Sequence, residues 1–285
     1  MRNISLMWTV VLWVAGLAWA DSDSFSKRVC LDGLHGNLLF HDGASFTEPL
    51  ATDVLADYEV EMVGPLGARF EPGLRLSKTL LLEYRVLICY LPIDPFLSDE
   101  LKSIKAFVEE GGGLLLVGDN GEDLGLTAVN QVASLFNAKF QDCVVAAPRG
   151  TKTFVLGEQG RRYTPDMRTP YFFDARVGNH PIVDGIKSLP VRASGAIEGG
   201  LPLAWAEGDL RITDLPAPLW LDRCDPYDVY HPDKIAAPNE VRTKAVVMSV
   251  LTSGKGRVVL WSDALLSRFA LKVTVVRSLK RLLRQ

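Results

Sequence analysis

The sequence lacks the motifs that mark most catalytic sites. It contains no CxxC pair, no GxSxG elbow, no GxxxxGK[ST] or GxGxxG loop, and no HxH or HExxH pair. The absence of an elbow counts against a Ser-His-Asp hydrolase, and the glycines that are present do not have the spacing of these nucleotide-binding loops. The four histidines are also too dispersed to predict a zinc site: His35, His41, His180 and His231.

Neither sign of charge predominates in the chain, and cysteine is scarce. The chain has 31 basic and 34 acidic residues, a net charge of −3, so it has no global basic field that would attract nucleic acid. In an oxidising compartment its four cysteines allow three pairings, and sequence alone does not choose among them. Cys30 and Cys89 stand inside apolar strand runs and are expected to be buried as hydrophobic residues. The disulfide to test first is therefore Cys143–Cys224.

The chain opens with a segment typical of a secretion signal. Arg2 precedes a largely apolar run over residues 4–18, and Ala18-Trp19-Ala20 fits the small-x-small cleavage pattern. The run is short for a membrane span of about 20 residues, although an uncleaved anchor is the alternative. The pattern predicts a signal peptide over residues 1–20, an exported product (periplasmic or secreted), and one domain over residues 21–285. No later stretch is long and apolar enough to cross a bilayer.

The most informative stretch covers residues 97–120 and reads LSDELKSIKAFVEEGGGLLLVGDN. It predicts a helix with Ser98 as N-cap, a glycine turn over 111–113, and a strand over 114–117. The unbroken apolar run of that strand is typical of a strand that is covered on both faces. Ligands of such sheets gather at the carboxyl ends of the strands, which directs attention to residues 118–120.

Strands and helices alternate over the first half of the chain. The pattern predicts strands over 27–32, 58–63, 84–91 and 139–146, with helices over 47–55 and 124–136 and a short helix or turn over 76–82. This alternation indicates an α/β fold with a doubly wound, mostly parallel sheet, whose strand ends share one edge. Residues 147–240 are rich in proline and predict an irregular insertion of loops and small strands. Strands over 245–251 and 257–261 predict a C-terminal hairpin, and a helix over 264–283 follows.

Polar side chains cluster at three of these strand ends. Asp32, Asp119 and Asp263 each follow a strand, and their convergence would raise a pKa or attract a cation. The alternative is that each caps the following helix, which is the favoured interpretation for Asp263. His35 and Asn37 lie in the loop after Asp32, where an imidazole could act as acid, base or ligand. An acidic loop near Cys224 lacks the glycine and terminal glutamate of an EF-hand, so it is interpreted as a solvated turn.

Three segments resemble the class I glutamine amidotransferase-like superfamily, nearest to its secreted branches and to trehalose-utilisation-like proteins. They are the stretch over 97–120, NHPIVDGI over 179–186, and GKGRVVLWSDALL over 254–266. The resemblance implies a flavodoxin-like, amidotransferase-like sheet. Where the family carries its nucleophilic cysteine, this chain has Gly118-Asp119-Asn120-Gly121, so thioester chemistry with glutamine is not available.

The resemblance without the thiol predicts an exported, non-catalytic domain that binds a small polar ligand, with carbohydrate as one candidate, or serves as an accessory protein. No cofactor, metal or nucleic acid is expected. The predicted ligand-binding residues are Asp32, His35, Asn37, Asp119, Asn120 and His180, with Trp205, Trp220 or Tyr171 as a stacking wall. One alternative is a hydrolase, metal-assisted or not, that uses Asp32 or Asp119 with His35 in acid–base chemistry. Another alternative is a protein–protein interaction module. An open cleft where these groups converge would favour the hydrolase, and burial of His35 would count against it.

Overall fold

A mixed β-sheet of eleven strands forms the centre of the computed structural model. The structure describes residues 27–36, 59–65, 67, 69–118, 126–145, 152, 155–156, 162–163, 173–183, 187–191, 194–213 and 240–262. The predicted helices over 47–55 and 264–283 lie outside the described residues.

Thirteen strands and three α-helices are described. The strands are β1 (Arg28–Asp32), β2 (Glu59–Val63), β3 (Val86–Tyr90), β4 (Gly113–Val117), β5 (Lys139–Val145), β6 (Val155–Leu156), β7 (Arg162–Tyr163), β8 (Phe173–Val177), β9 (Ser188–Val191), β10 (Ser194–Glu198), β11 (Leu201–Thr213), β12 (Glu240–Ser253) and β13 (Gly256–Trp261). The helices are α1 (Lys78–Leu81), α2 (Ser98–Glu109) and α3 (Thr127–Ser134), with a 3-10 helix at Pro181–Val183. Strands β6 and β7 pair only with each other, apart from the main sheet.

The parallel half of the sheet has the order β2-β1-β3-β4-β13. All five residues of β3 and all five of β4 are buried, as their unbroken apolar runs predict for central strands. The order 2-1-3-4 is that of flavodoxin-like sheets, so the expected α/β fold is confirmed. In this order the direction of winding reverses between β1 and β3, which places the topological switch point at their carboxyl ends.

The other half of the sheet is antiparallel and begins at the predicted hairpin. Strand β12 pairs with β13 across a turn that sets Ser253 opposite Gly256, and it then pairs with β11. Strand β5 was expected to continue the alternating pattern, but it joins this antiparallel half beside β10 and β11. The reason is that β13, from the far end of the chain, takes the place next to β4. The insertion contributes β11 with 13 residues, longer than the small strands expected there.

Helix α2 covers one face of the parallel half. Ile104, Phe107 and Val108 are buried, and burial of each such side chain contributes about 2 kcal/mol. A Cβ on Gly112 would lie 2.4 Å from the Phe107 ring, so the glycine lets the turn pass directly over that side chain. The prediction of Ser98 as N-cap is wrong, because the helix starts at Ser98 itself and Leu97 is the capping position.

Candidate functional site at the carboxyl edge of the parallel sheet

The loop after β1 lies at the switch point, where sheets of this order bind ligands. Asp32 is the last residue of β1, and the N–H of the next residue, Gly33, donates to the carbonyl of Val63 at the end of β2. The carbonyl of His35 accepts hydrogen bonds from the N–H groups of Ile93 and Asp94, at 2.8 and 3.1 Å. The loop is thus fixed to the chain that follows β3.

The imidazole of His35 lies between two carboxylates. Its Nδ1 is 3.0 and 2.9 Å from the two oxygens of Asp32, and its Nε2 is 3.3 Å from Oε2 of Glu100 in α2. The ring of Phe96 stacks on the imidazole, with centroids 3.7 Å apart and an angle of 22° between the planes. Asp32, His35 and Glu100 are only 2, 5 and 4% exposed. We call these three residues the buried Asp–His–Glu network.

Backbone N–H groups hold both carboxylates in place. Leu34 donates to Oδ1 of Asp32 at 3.0 Å. Glu100 accepts from Leu76 through Oε1 at 3.1 Å and from Leu97 through Oε2 at 2.9 Å. Since Leu97 is the N-cap of α2 and Glu100 is its N3 residue, the Glu100 carboxylate satisfies the N–H of the N-cap residue, which is the glutamate half of a capping box. The network therefore links β1, the segment before α1, and the start of α2.

The two carboxylates keep the imidazole protonated at neutral pH. Burial acts to lower the pKa of His35, but hydrogen bonds with Asp32 and then Glu100 outweigh it and raise the pKa to about 9. Burial acts to raise the pKa of Glu100, whereas its bonds with His35, Leu97 and Leu76 lower the pKa to about 2. Both ring nitrogens are then donors with carboxylate acceptors. A ring in this state has no lone pair with which to take a proton from a substrate.

Two buried thiols lie under the same edge. Cys89 is the fourth residue of β3, and burial followed by the charge of Asp32 raises the pKa of its thiol well above the usual range. Burial likewise raises the pKa of Cys30. Both are free thiols with no exposed surface, so the expectation that they behave as buried hydrophobic residues is confirmed. A thiol that stays protonated is a poor nucleophile.

His180 lies in the turn directly before the 3-10 helix at Pro181–Val183. Its Nδ1 accepts a hydrogen bond from the N–H of Ile182 at 3.2 Å, within the turn that starts the 3-10 helix. Burial and then the charge of Arg257 lower the pKa of His180. Arg257 is aligned with Gly113, at the amino end of β4. The described contacts of His180 involve its own turn and the charge of Arg257, and its predicted place in one site with Asp32 and His35 stays a prediction.

Several predicted site residues lie outside the described part of the chain: Asn37, Asp119, Asn120, Tyr171, Trp220, Cys224 and Asp263. The corner that leads to Asp119 is described as far as Gly118, whose N–H donates to the carbonyl of Trp261 at 2.8 Å. Cys143 is buried, and its predicted disulfide with Cys224 stays a prediction. Trp205 is half-buried, with the ammonium of Lys244 over its ring at 4.2 Å from the centroid.

The sequence patterns do not single out Glu100, which completes the network. Its position predicts only a place in the first turn of the helix, where a carboxylate interacts favourably with the helix dipole. Glu100 nevertheless shares a helical face with Ile104, Phe107 and Val108, at spacings of four, seven and eight residues, and all four are buried. A carboxylate on the apolar stripe of a helix indicates a buried partner, and this signal could have found it.

Within the described ranges, no three His, Cys, Asp or Glu side chains are arranged to hold a metal ion. The network residues are directed at one another and not at a common point. Of the helices that the structure describes, none has the length and apolar character needed to span a bilayer.

Comparison with known proteins supports the fold. No protein-family model and no curated protein sequence matches the chain. Among solved structures, the mmIFT52 N-terminal domain is similar with a TM-score of 0.54 and 12% identity, over 90% of this chain and 96% of that one. A cytoplasmic protein from Salmonella typhimurium LT2 matches with a TM-score of 0.43 and 14% identity, over 83% and 87% of the two chains. A ThuA-like protein from Parabacteroides merdae matches at 0.42 and 12%, over 86% and 85%. At these identities the first likeness establishes a shared fold and nothing about activity.

Proposed function

We propose that this chain is an exported, non-catalytic amidotransferase-like domain that binds a small polar ligand at the carboxyl edge of its parallel sheet. One observation carries the non-catalytic part. His35, the one histidine that the sequence places at this edge beside an aspartate, is 5% exposed and engages carboxylates through both ring nitrogens. The imidazole thus serves the loop structure and not acid–base chemistry.

A second observation supports a ligand further along the same edge. Trp261 ends β13 beside Val117, the last residue of β4, and is 1% exposed. Its indole N–H has no hydrogen-bond partner among the residues that the structure describes. A buried donor without an acceptor costs about 1–3 kcal/mol, so a bound polar group here would be stabilising. The predicted ligand residues Asp119 and Asn120 follow this corner directly in sequence.

Calorimetric titration with trehalose, glucose and glutamine tests the binding proposal. The first two represent the carbohydrate class and the third represents the ancestral substrate of the resembled family. We expect one of them to bind, and Asp119→Ala to weaken that binding at least tenfold. The matched control is Glu109→Ala, which removes an exposed carboxylate at the far end of α2. Equal affinity of both variants and the wild type would remove Asp119 from the site.

The hydrolase alternative is tested separately with chromogenic glycosides and esters. We expect no turnover above that of buffer. Turnover that is abolished by His35→Gln would contradict the non-catalytic proposal, because the buried imidazole would then have to reach a substrate.

The alternative of a protein–protein module requires a contiguous apolar surface. The large apolar side chains exposed in the described residues are Phe70 (49%), Leu82 (44%), Leu97 (47%) and Leu201 (57%). Phe70 and Leu82 are neighbours of Arg69 and Glu83, which form an ion pair, but Leu201 belongs to the antiparallel half. This distribution favours ligand binding over a protein interface.

A further inference from the structure

The buried Asp–His–Glu network occupies the position where a sheet of this order binds its ligand, and the group held there belongs to the chain itself. Asp32 and Glu100 contact opposite nitrogens of one ring, and Phe96 covers a face of that ring. We infer that Asp32, Glu100 and Phe96 form a binding site for a planar, delocalised cation, and that His35 fills this site as an internal ligand. The inference concerns the β1–β3 end of the edge and extends beyond the proposed function.

The site is built independently of the ring that fills it. Each carboxylate is held by main-chain donors: Leu34 for Asp32, and Leu76 with Leu97 for Glu100. None of these bonds involves the imidazole, so we expect them to persist if the ring is removed. The carboxylate oxygens of Asp32 and Glu100 would then lie on either side of an empty, flat space of the size of the imidazole.

Charge and shape both select the class of ligand. Two buried carboxylates without a cation are strongly unfavourable, so the empty site would attract positive charge. The acceptors lie at opposite edges of a flat ring and Phe96 stacks on it at 3.7 Å, which favours a planar cation with two N–H donors. An ammonium is a compact point charge that cannot contact both carboxylates and stack at the same time.

Chemical rescue of His35→Ala with free imidazole tests this inference. At about pH 6 most free imidazole is protonated. Pyrazole, a ring of the same size that stays neutral, is the matched probe. We expect imidazole to raise the thermal midpoint of His35→Ala by a few °C, on the order set by ligand linkage, while pyrazole does not. The wild type should respond to neither probe, because its site is filled.

The double variant His35→Ala/Glu100→Gln supplies the charge control. It keeps a hydrogen-bond acceptor but loses one carboxylate, so about tenfold more imidazole should be needed for the same shift. Equal rescue by pyrazole would show simple filling of space and would overturn the inference, as would the absence of any rescue.

If His35→Ala does not fold, the yield of soluble protein on refolding gives the same comparison, with His35→Gln as a second variant. Recovery with imidazole alone supports a cation site, and recovery with neither probe rejects it. Neither readout involves trehalose, glucose or glutamine. Failure here is therefore distinguishable from failure of the proposed binding function.

Discussion

Replacing Glu100 by glutamine tests the buried network with the smallest change of shape. The carboxylate accepts hydrogen bonds from Leu76, Leu97 and His35. A glutamine oxygen in the position of Oε2 would retain Leu97 and His35, but the amide nitrogen would then face the N–H of Leu76. That unpaired donor alone costs about 1–3 kcal/mol.

The pKa of Glu100 gives an independent estimate of how much the ionised carboxylate stabilises the fold. It lies at about 2 instead of 4.5, and a difference of about 2.5 units at 1.36 kcal/mol each corresponds to about 3 kcal/mol. The side chain is 6% exposed, so little of this is lost to solvent screening. We expect Glu100→Gln to lower the free energy of unfolding by about 3 kcal/mol at pH 6, and the thermal midpoint by roughly 10 °C.

The pKa shifts of His35 and Glu100 determine the direction in which the stability of the protein changes with pH. The pKa of His35 is raised, so its contribution is complete below about 6.5 and is lost as the pH rises through about 9. The pKa of Glu100 is lowered, so its contribution is complete above about 4.5 and is lost as the pH falls towards 2. Stability should therefore be greatest between about pH 4.5 and 6.5. In Glu100→Gln the decline on the alkaline side should be smaller, because one of the two carboxylates that raise the pKa of His35 is gone.

Urea unfolding followed by tryptophan fluorescence at about pH 6 and pH 9.5 measures both effects. Glu109→Gln is the control, because it makes the same chemical change on an exposed residue of α2. The assignment of the network would be refuted if Glu100→Gln lowered the free energy of unfolding by an amount within about 0.5 kcal/mol of the effect of Glu109→Gln. It would also be refuted if the fall in stability between about pH 6 and pH 9.5 were the same in Glu100→Gln as in the wild type.

Two further predictions concern the parallel half of the sheet. Gly256→Ala would set a Cβ 2.0 Å from the carbonyl oxygen of Val108, and a rotamer change cannot relieve this main-chain contact. We therefore expect the free energy of unfolding to fall by at least about 3 kcal/mol. Thermal unfolding measures this effect, and the control Lys255→Ala should lower the free energy of unfolding by no more than about 0.5 kcal/mol. Equal midpoints would contradict that close packing. Cys30 and Cys89 should not react with a thiol reagent at pH 8 until the chain is unfolded, since both are fully buried with raised pKa values. Their rapid labelling in native protein would show that the edge is open.

Local signals predicted the parts of the fold that depend on neighbouring residues. The helix, glycine turn and strand from Leu97 to Val117 follow from apolar spacing and from glycines, and they are observed close to the expected bounds. The turn at Ser253 predicted the hairpin for the same reason. The place of β5 was not predictable this way, because pairing between distant strands leaves no local pattern. Nothing within residues 113–145 indicates that β13 separates β4 from the antiparallel half.

The same distinction applies to the candidate site, where a contact between neighbouring residues was predicted and contacts between distant residues were not. Asp32 and His35 are three residues apart in one loop, and their association was predicted from that proximity. Glu100 follows His35 by 65 residues, so only its unusual place on an apolar helix face could have identified it. His180 was grouped with them through a family resemblance. Its bond to Ile182 and the nearby charge of Arg257 are properties of three-dimensional structure that a motif does not carry.

The position of β13 beside β4 has a consequence for biosynthesis. Val117 leaves the ribosome well over a hundred residues before its partner Trp261. At about 5–20 residues per second, one side of this wholly apolar strand stays without a hydrogen-bonding neighbour for roughly 10 s during translation. Such a bare edge is a template for aggregation, so holding chaperones should matter most to nascent chains that stop between these two strands.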